Sequence, residues 1–392
     1  MGPLDGVRVL DLSKYGPPRY CSMILGDLGA DVIVVEMPRT AGQNLDIVTD
    51  DVGYIYIGAS RSKRSIAINL KKEEGKDILR RLVEKTDVLM ESNRPGVMKK
   101  RGMDYEALSK VNPRLVYCSM TGYGQDGPYA QRTGHEINFS AVSGIMGLTG
   151  SRNGPPVYLQ SPIVADYLGG VTQAVIAIVA ALYAREKIGK GQYIDVSITD
   201  GAAFYHCLDG QKYLLDGNVP ERSEWPSGTD MACYNVYTAK DGKYFTVACP
   251  EPWLWEKLCG LVGREDFVVS QFAPIDKQDE MYGVLSEVFA TKDRDEWVRI
   301  LEEADISVGP VYDFKEMFSD PHFVQRGIAV EVDHPKLGKL KLLNTPFKFS
   351  ETPAEVRARP PLWAENTREV LSQLLGLSNE ELDRLVREEV VE

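Results

Sequence analysis

The chain is expected to fold as an α/β protein built on a parallel sheet, with a second, smaller α+β domain. Three observations predict this. Short apolar runs alternate with helical text from the N-terminus onward. One of them, "DVIVVE" (residues 31–36), is apolar without alternation, as a parallel strand covered on both faces should be. Beyond about residue 225 the text changes from this alternation to a hairpin followed by charged helices.

The elements follow in order. "VRVLDL" (7–12) predicts the first strand. "PPRYCSMILGDLG" predicts a helix with prolines in its first turn and Gly29 at its end. "DVIVVE" completes a strand–helix–strand unit. "RSIAINL" (64–70), a helix over 73–84, "DVLMES" (87–92) and "RLVYCSMTGYG" (114–124) continue the series. "ADYLGGVTQAVIAIVAALYAREKIGKG" (165–191) is the strongest helix, apolar nearly all round and stopped at Gly189, so it is expected to be buried. Asp166 stands at its beginning. "NVPERSEWPSGTD" (218–230) predicts a linker, and "NVYTAKDGKYFTVAC" (235–249) a hairpin turning at Asp241-Gly242. The tail "LLGLSNEELDRLVREEVVE" predicts an amphipathic helix with Ser378 and Glu381 in capping-box spacing. The expected domains are 1–217, a small domain with its linker over 218–325, and a return of 326–392 to the large domain.

Composition narrows the function. A chain of 392 residues can bury a large core without disulfides or metal. The net charge of −12 argues against general nucleic-acid or acidic-membrane binding, but permits a small anion on a local basic cluster. The six cysteines lack zinc or C-x-x-C spacing and read as buried, reduced thiols in a cytoplasmic protein with no metal. The run "AVIAIVAALYA" is too short for a membrane span, which takes about 20 residues. Neither nucleic acid nor membrane is expected as a partner. Glu36 ends the second strand where a ribose-binding acid would sit in a dinucleotide fold. The turn "SKYGPPRY" nevertheless lacks G-x-G-x-x-G, and its prolines remove backbone donors, which disfavours NAD.

Several segments together resemble one family. "GPLDGVRVLDLS", "LGDLGADVIVVEMP", "SKRSIAINLK", "NRPGVMKKRGMDYEALSKVNPRLVYCSMTGYGQDGPY", "ALYAREKIGKGQYIDVSITDGA" and "FSDPHFVQRGI" are similar to family III CoA-transferases (CaiB/BaiF-like) and come in that family's order. The superfamily includes the α-methylacyl-CoA racemases. The resemblance implies a Rossmann-like large domain built from both chain ends, a smaller domain, and an interlaced homodimer. It also implies an acyl-CoA substrate, with coenzyme A present as part of the thioester rather than as a prosthetic group. Local cations would then hold phosphates: Arg61, Lys63 and Arg64, Lys71 and Lys72, and Lys99, Lys100 and Arg101 are candidates. By family register, CoA contacts fall on Ile68, Asn69, Leu70 and Lys71, on Ser92, Asn93, Arg94, Pro95 and Gly96, and on Lys100. Met37 stands where the family has an arginine; Arg39, two residues on, is the substitute expected here.

The resemblance implies two chemistries. In the transferases the aspartate matching Asp166 attacks the thioester and passes through a mixed anhydride to an aspartyl-CoA thioester. In the racemases the same aspartate is one of two bases. The other is a histidine in G-H-D-I-N-Y, oriented by a glutamate in an E-P motif. This chain reads "GHEINF" and "PEPW", so His135 and Glu251 match, and Gly134, His135, Glu136, Ile137, Asn138 and Phe139 form the motif, which the resemblance implies also contacts the CoA thioester. Glu136 replaces the racemase Asp and Phe139 the Tyr. Alone, each catalytic candidate has a plainer reading: a structural histidine, a helix N-cap, a surface carboxylate. Together they supply what inversion of a thioester α-carbon needs, a proton remover on one face and a proton donor on the other. A 2-methylacyl-CoA racemase or epimerase is the preferred expectation, a CoA-transferase the alternative, and a non-catalytic CoA-binding subunit a third. The loop 147–160 is a flexible candidate for lining the acyl site.

Overall fold

In the parallel sheet six strands stand in the order β3-β2-β1-β4-β5-β6. They are β1 (Arg8–Asp11), β2 (Asp31–Glu36), β3 (Lys63–Ala67), β4 (Val88–Glu91), β5 (Val116–Thr121) and β6 (Tyr193–Ser197). Every pairing is parallel, with Val9 beside Val32 on one side and Val88 on the other. This Rossmann order reverses between β1 and β4, and ligands in such sheets bind beyond the carboxyl ends of the strands at that reversal. The computed structural model describes residues 1–14, 16–39, 53–159, 163–224 and 228–392.

The chain divides into two compact units. One comprises Met1–Ser143, Gln160–Tyr205 and His322–Glu392; the other comprises Gly144–Leu159 and His206–Pro321. In the first, α1 (Pro17–Asp27), α2 (Tyr54–Ser60) and α3 (Glu73–Val83) accompany the sheet. Helix α1 starts on two prolines whose missing N–H groups cost nothing in a first turn. It ends at Gly29, whose φ of 115° a side chain would resist. One hydrophobic core joins the sheet and α3 to the C-terminal helices Thr367–Leu375 and Asn379–Arg387 through Ile68, Leu79, Val370, Leu371 and Leu385. The expected capping box holds: the Ser378 hydroxyl accepts the Glu381 N–H at 3.2 Å, and the Glu381 carboxylate accepts the Ser378 N–H at 2.8 Å.

The second unit contains β7 (Tyr234–Thr238), β8 (Tyr244–Ala248) and β9 (Val308–Pro310), an antiparallel sheet whose first two strands form the expected hairpin. Trp255, Phe267, Phe289 and Trp297 pack its core. The loop expected to be flexible is instead pinned along its described length. Val157 donates its N–H to the Thr149 carbonyl at 3.1 Å, the Ser223 hydroxyl donates to the Gly150 carbonyl at 2.8 Å, and Arg222 donates to the Gly147 and Gly154 carbonyls. Gln160 of that loop and residues 225–227 of the expected linker lie outside the described residues.

Three further expectations are corrected. The long helix runs Ile163–Ile188, ten π-helical residues followed by sixteen α-helical ones, and is not buried all round. Its 26 residues, with a mean hydropathy of 1.8 over the best window, are long and apolar enough to cross a membrane, so the apolar stretch is not too short. Only a third of that window is buried: one face packs on β5 and β6, while Leu168, Ile176, Val179 and Tyr183 remain exposed. Finally, five cysteines are buried as expected, but Cys207 is exposed.

Candidate active site

Asp166 is not an N-cap. It lies within the first turn of the helix that begins at Ile163, on its π-helical part. Such wide turns recur at functional sites because they displace side chains from the regular spiral. Glycines let this segment approach its neighbour: a Cβ on Gly169 would meet the Ala202 nitrogen and the Ile198 carbonyl at 2.6 Å. The helix Ile198–Phe204 therefore lies against the turn and helps fix its position.

Asp166 lines a cavity of about 890 Å³ together with Lys14, Arg19, Tyr20, Tyr167, Trp363, α2 and apolar residues of the segment 337–343. Tyr20 and Tyr167 pack with ring centroids 4.8 Å apart and planes tilted by 31°. A cavity of this size suits a small-molecule ligand. Burial raises the Asp166 carboxyl to about 7, and the neighbouring Glu136 charge pushes in the same direction. Such an acid can hold or release a proton near neutral pH.

Glu136 is what joins the histidine motif to Asp166. The residue is only 7% exposed. It accepts the Asp166 N–H at 2.5 Å, the Ala165 N–H at 3.1 Å and the Ser140 hydroxyl at 2.7 Å. His135, its chain neighbour, is the N-cap residue of the helix Glu136–Val142, and its backbone N–H donates to Asn138 Oδ1 at 3.1 Å. The His135 side chain is exposed, and it does not line the cavity. Phe139 is buried, edge-on to Tyr123 at 5.1 Å, and a Cβ on Gly134 would meet its ring at 2.6 Å. Ile137 and Asn138 are exposed. Glu251 lies in the other unit, as N-cap residue of the helix Pro252–Leu261, where Pro252 takes the first helical position.

The remaining expected contacts surround the carboxyl edge of the sheet. Ile68 and Asn69 are buried and tied to the C-terminus: Ile68 bridges Val391, and Asn69 donates to the Val390 and Glu389 carbonyls. Leu70 packs on the core and Lys71 is exposed. After β4, Asn93 donates twice to the buried Glu91 carboxylate, at 2.6 and 3.0 Å. Arg94 reaches the Thr133 hydroxyl at 2.7 Å, and Gln131 donates to the Pro95 carbonyl at 3.2 Å, so this loop and the segment before His135 are joined. Ser92 is half-buried, and Gly96 takes the left-handed φ of 86° that starts the next turn. Arg94 and Gly96 also line a smaller cavity of about 300 Å³ with Glu91, Tyr105 and Tyr193. Lys100 is exposed. Arg39 lies over the Trp363 ring, 5.1 Å from its centroid.

The first basic cluster is not a phosphate site. Arg61 is buried against Asp27 at 2.7 Å, and Arg64 pairs with Asp31 at 2.7 Å. Lys63 is buried and donates to the Arg19 carbonyl at 2.6 Å and the Ser22 hydroxyl at 2.8 Å. Arg61 and Lys63 thus hold α1, while Arg64 ties β3 to β2. Glu36 is likewise taken: the Arg19 guanidinium grips it through two bonds of 2.8 Å, which leaves no carboxylate for a ribose. The exposed Lys71, Lys72, Lys99 and Lys100 remain as candidate anion contacts. Sequence reasoning missed the cavity lining from Lys14, Tyr20, Tyr167 and Trp363, and the holding role of Glu136. The turn after β1 had one signal, its place at the carboxyl end of a central strand.

The sequence model described as CoA-transferase family III matches residues 4–367. The chain is 33% identical to α-methylacyl-CoA racemase from Homo sapiens over 99% of this chain and 97% of that protein. It is 29% identical to succinyl-CoA:glutarate CoA-transferase from Homo sapiens over 100% of this chain and 90% of that protein. A crystal structure of a CAIB/BAIF family protein from Brucella suis superposes with a TM-score of 0.83 at 31% identity, covering 95% of this chain and 99% of the other. Sequence match, parallel sheet order and chain coverage agree, and the chain belongs to CoA-transferase family III, as an enzyme of the transferase and racemase type.

Proposed function

We propose that the protein inverts the α-carbon of a 2-methylacyl-CoA thioester by two-base proton transfer. The observation that carries this reading is Asp166: a carboxyl in an apolar cavity, with its proton affinity raised to about 7. A nucleophilic carboxylate gains nothing from being half protonated, whereas a proton carrier needs both states. His135 takes the α-proton on one face, the enolate forms, and protonated Asp166 returns a proton to the opposite face; the reverse reaction exchanges the roles. Glu251, the glutamate of the E-P motif, is the third catalytic candidate. The acyl chain occupies the cavity, and Arg39, Lys71, the 92–96 loop and Lys100 hold the CoA moiety. A second copy of the chain covers the exposed Ile176, Val179 and Tyr183 face, where burial contributes about 1.5–3 kcal/mol per large side chain.

One observation favours the alternative, a transferase using Asp166 as nucleophile: Asp166 lines the cavity and His135 does not. Incubating a single enantiomer of a 2-methylacyl-CoA with the enzyme in heavy water, without any free acid, separates the two. The racemase gives α-deuterium and loss of optical purity. No exchange, together with hydroxylamine capture of a thioester-dependent Asp166 adduct, establishes the transferase instead.

A further inference from the structure

The motif residue Glu136 was expected to touch CoA, but its carboxylate is spent elsewhere. Both oxygens are occupied by protein donors: one takes the Ala165 N–H and the Ser140 hydroxyl, the other the Asp166 N–H. The side chain is buried and outside the cavity lining. The two N–H groups belong to the first turn of a helix, where backbone donors lack partners and a negative charge is favoured.

We propose that Glu136 is a positioning residue for Asp166: its buried carboxylate clamps the backbone at Ala165 and Asp166, aims the Asp166 side chain into the cavity, and stands as a second carboxylate beside it. This rests on reading Asp166 as the reacting carboxyl. Other charged groups near the turn have their own partners or face solvent. On α1, Arg19 is committed to Glu36, and Tyr20 packs against Tyr167. On β6, Asp195 accepts the Gln125 N–H at 2.9 Å, and Tyr193 packs against Tyr105 and Tyr117. Asp200, on the helix Ile198–Phe204, is exposed. Of the other cations at the cavity, Arg61 pairs with Asp27, and Lys14 and Lys341 are exposed. The charges of the continuing helix Gln173–Ile188, such as Arg185 and Lys187, sit in its last turn, about 30 Å away at 1.5 Å per residue. Burial is the larger cause of the raised Asp166 acidity constant and Glu136 the second. Among the described residues, the two carboxyls stand together with no cation paired to either, so one of them keeps a proton over part of the working pH range.

Infrared difference titration of the Asp166 carboxyl tests this without depending on the reaction. The Asp166 signal is identified by its loss in Asp166→Asn. In Glu136→Gln, which keeps the shape and removes the charge, the midpoint should fall by about one unit. In Glu136→Asp, the charge remains but the reach shortens by one methylene. The midpoint should then move less, while kcat drops about tenfold at constant KM, the mark of an interaction that matters only in the transition state. An unchanged midpoint in Glu136→Gln overturns the proposal whatever reaction is catalysed. If Glu136→Gln does not fold, an unchanged kcat in Glu136→Asp overturns it. Full turnover by Asp166→Asn would defeat the functional reading alone and leave the titration result standing.

Discussion

Two neighbourhoods of one sheet treat buried carboxylates in opposite ways. Around β1 to β3, each acid has a cation: Glu36 has Arg19 at 2.8 Å, Asp27 has Arg61 at 2.7 Å, and Asp11 has Lys63 at 3.9 Å with serine donors besides. Around Asp166, the nearest charged neighbour is another acid, and the walls are largely apolar. The first arrangement satisfies charge and fixes α1 against the sheet. The second leaves charge unsatisfied and so keeps a proton available. Buried charge alone does not mark a site; the sign of its neighbour decides what it is for.

The comparison can be broken at either end. The largest effect is expected from Asp166→Asn, which keeps the shape but cannot carry a proton: turnover should fall by about 10²–10⁴ in a steady-state assay of inversion. Glu36→Gln should leave the chemistry in place but strand the Arg19 charge, costing about 3–5 kcal/mol in denaturant unfolding. A wild-type midpoint for that variant would mean the pair is not structural. Equal losses of activity in folded Glu36→Gln and Asp166→Asn would erase the distinction between the two neighbourhoods.

A smaller effect concerns pH. The folded Asp166 value, about 7, lies above the ordinary 3.8, so between these pH values the native chain binds more protons than the unfolded one. Stability from this group therefore falls as pH rises through that window. Asp166→Asn removes the penalty: its Tm gain over wild type should be near zero at pH 4 and largest at pH 8. A gain that is constant with pH would mean that Asp166 is ordinary in the fold. The smallest expected effect is Lys100→Ala, about 1–3 kcal/mol in CoA thioester binding by calorimetry if this exposed lysine holds a phosphate. Identical affinities would make it a solvated side chain.

The same contrast explains what was legible in the sequence. The strands of the sheet could be read because "DVIVVE" and "DVLMES" bury both faces locally, and the hairpin because Asp241-Gly242 turns where Gly242 adopts a φ of 77°. The family register singled out Asp166, His135, Glu136 and Glu251. What could not be read depends on partners far along the chain. Arg61, Lys63 and Arg64 looked like phosphate ligands because Asp27, Asp11 and Asp31 meet them only once the parallel strands are paired. Trp363 and Leu342 reach the Asp166 cavity from nearly two hundred residues on. The all-round apolarity of 165–191 predicted a buried helix, but apolarity records that a surface needs covering and not what covers it.

The most direct test of the two-base account follows α-proton exchange by nuclear magnetic resonance in heavy water, with each enantiomer of a 2-methylacyl-CoA given separately to His135→Ala and Asp166→Asn. Each mutant keeps one base, so each should exchange one enantiomer without inverting it, and the two mutants should choose opposite enantiomers. Undiminished racemisation by Asp166→Asn, or exchange of the same enantiomer by both mutants, would contradict the account.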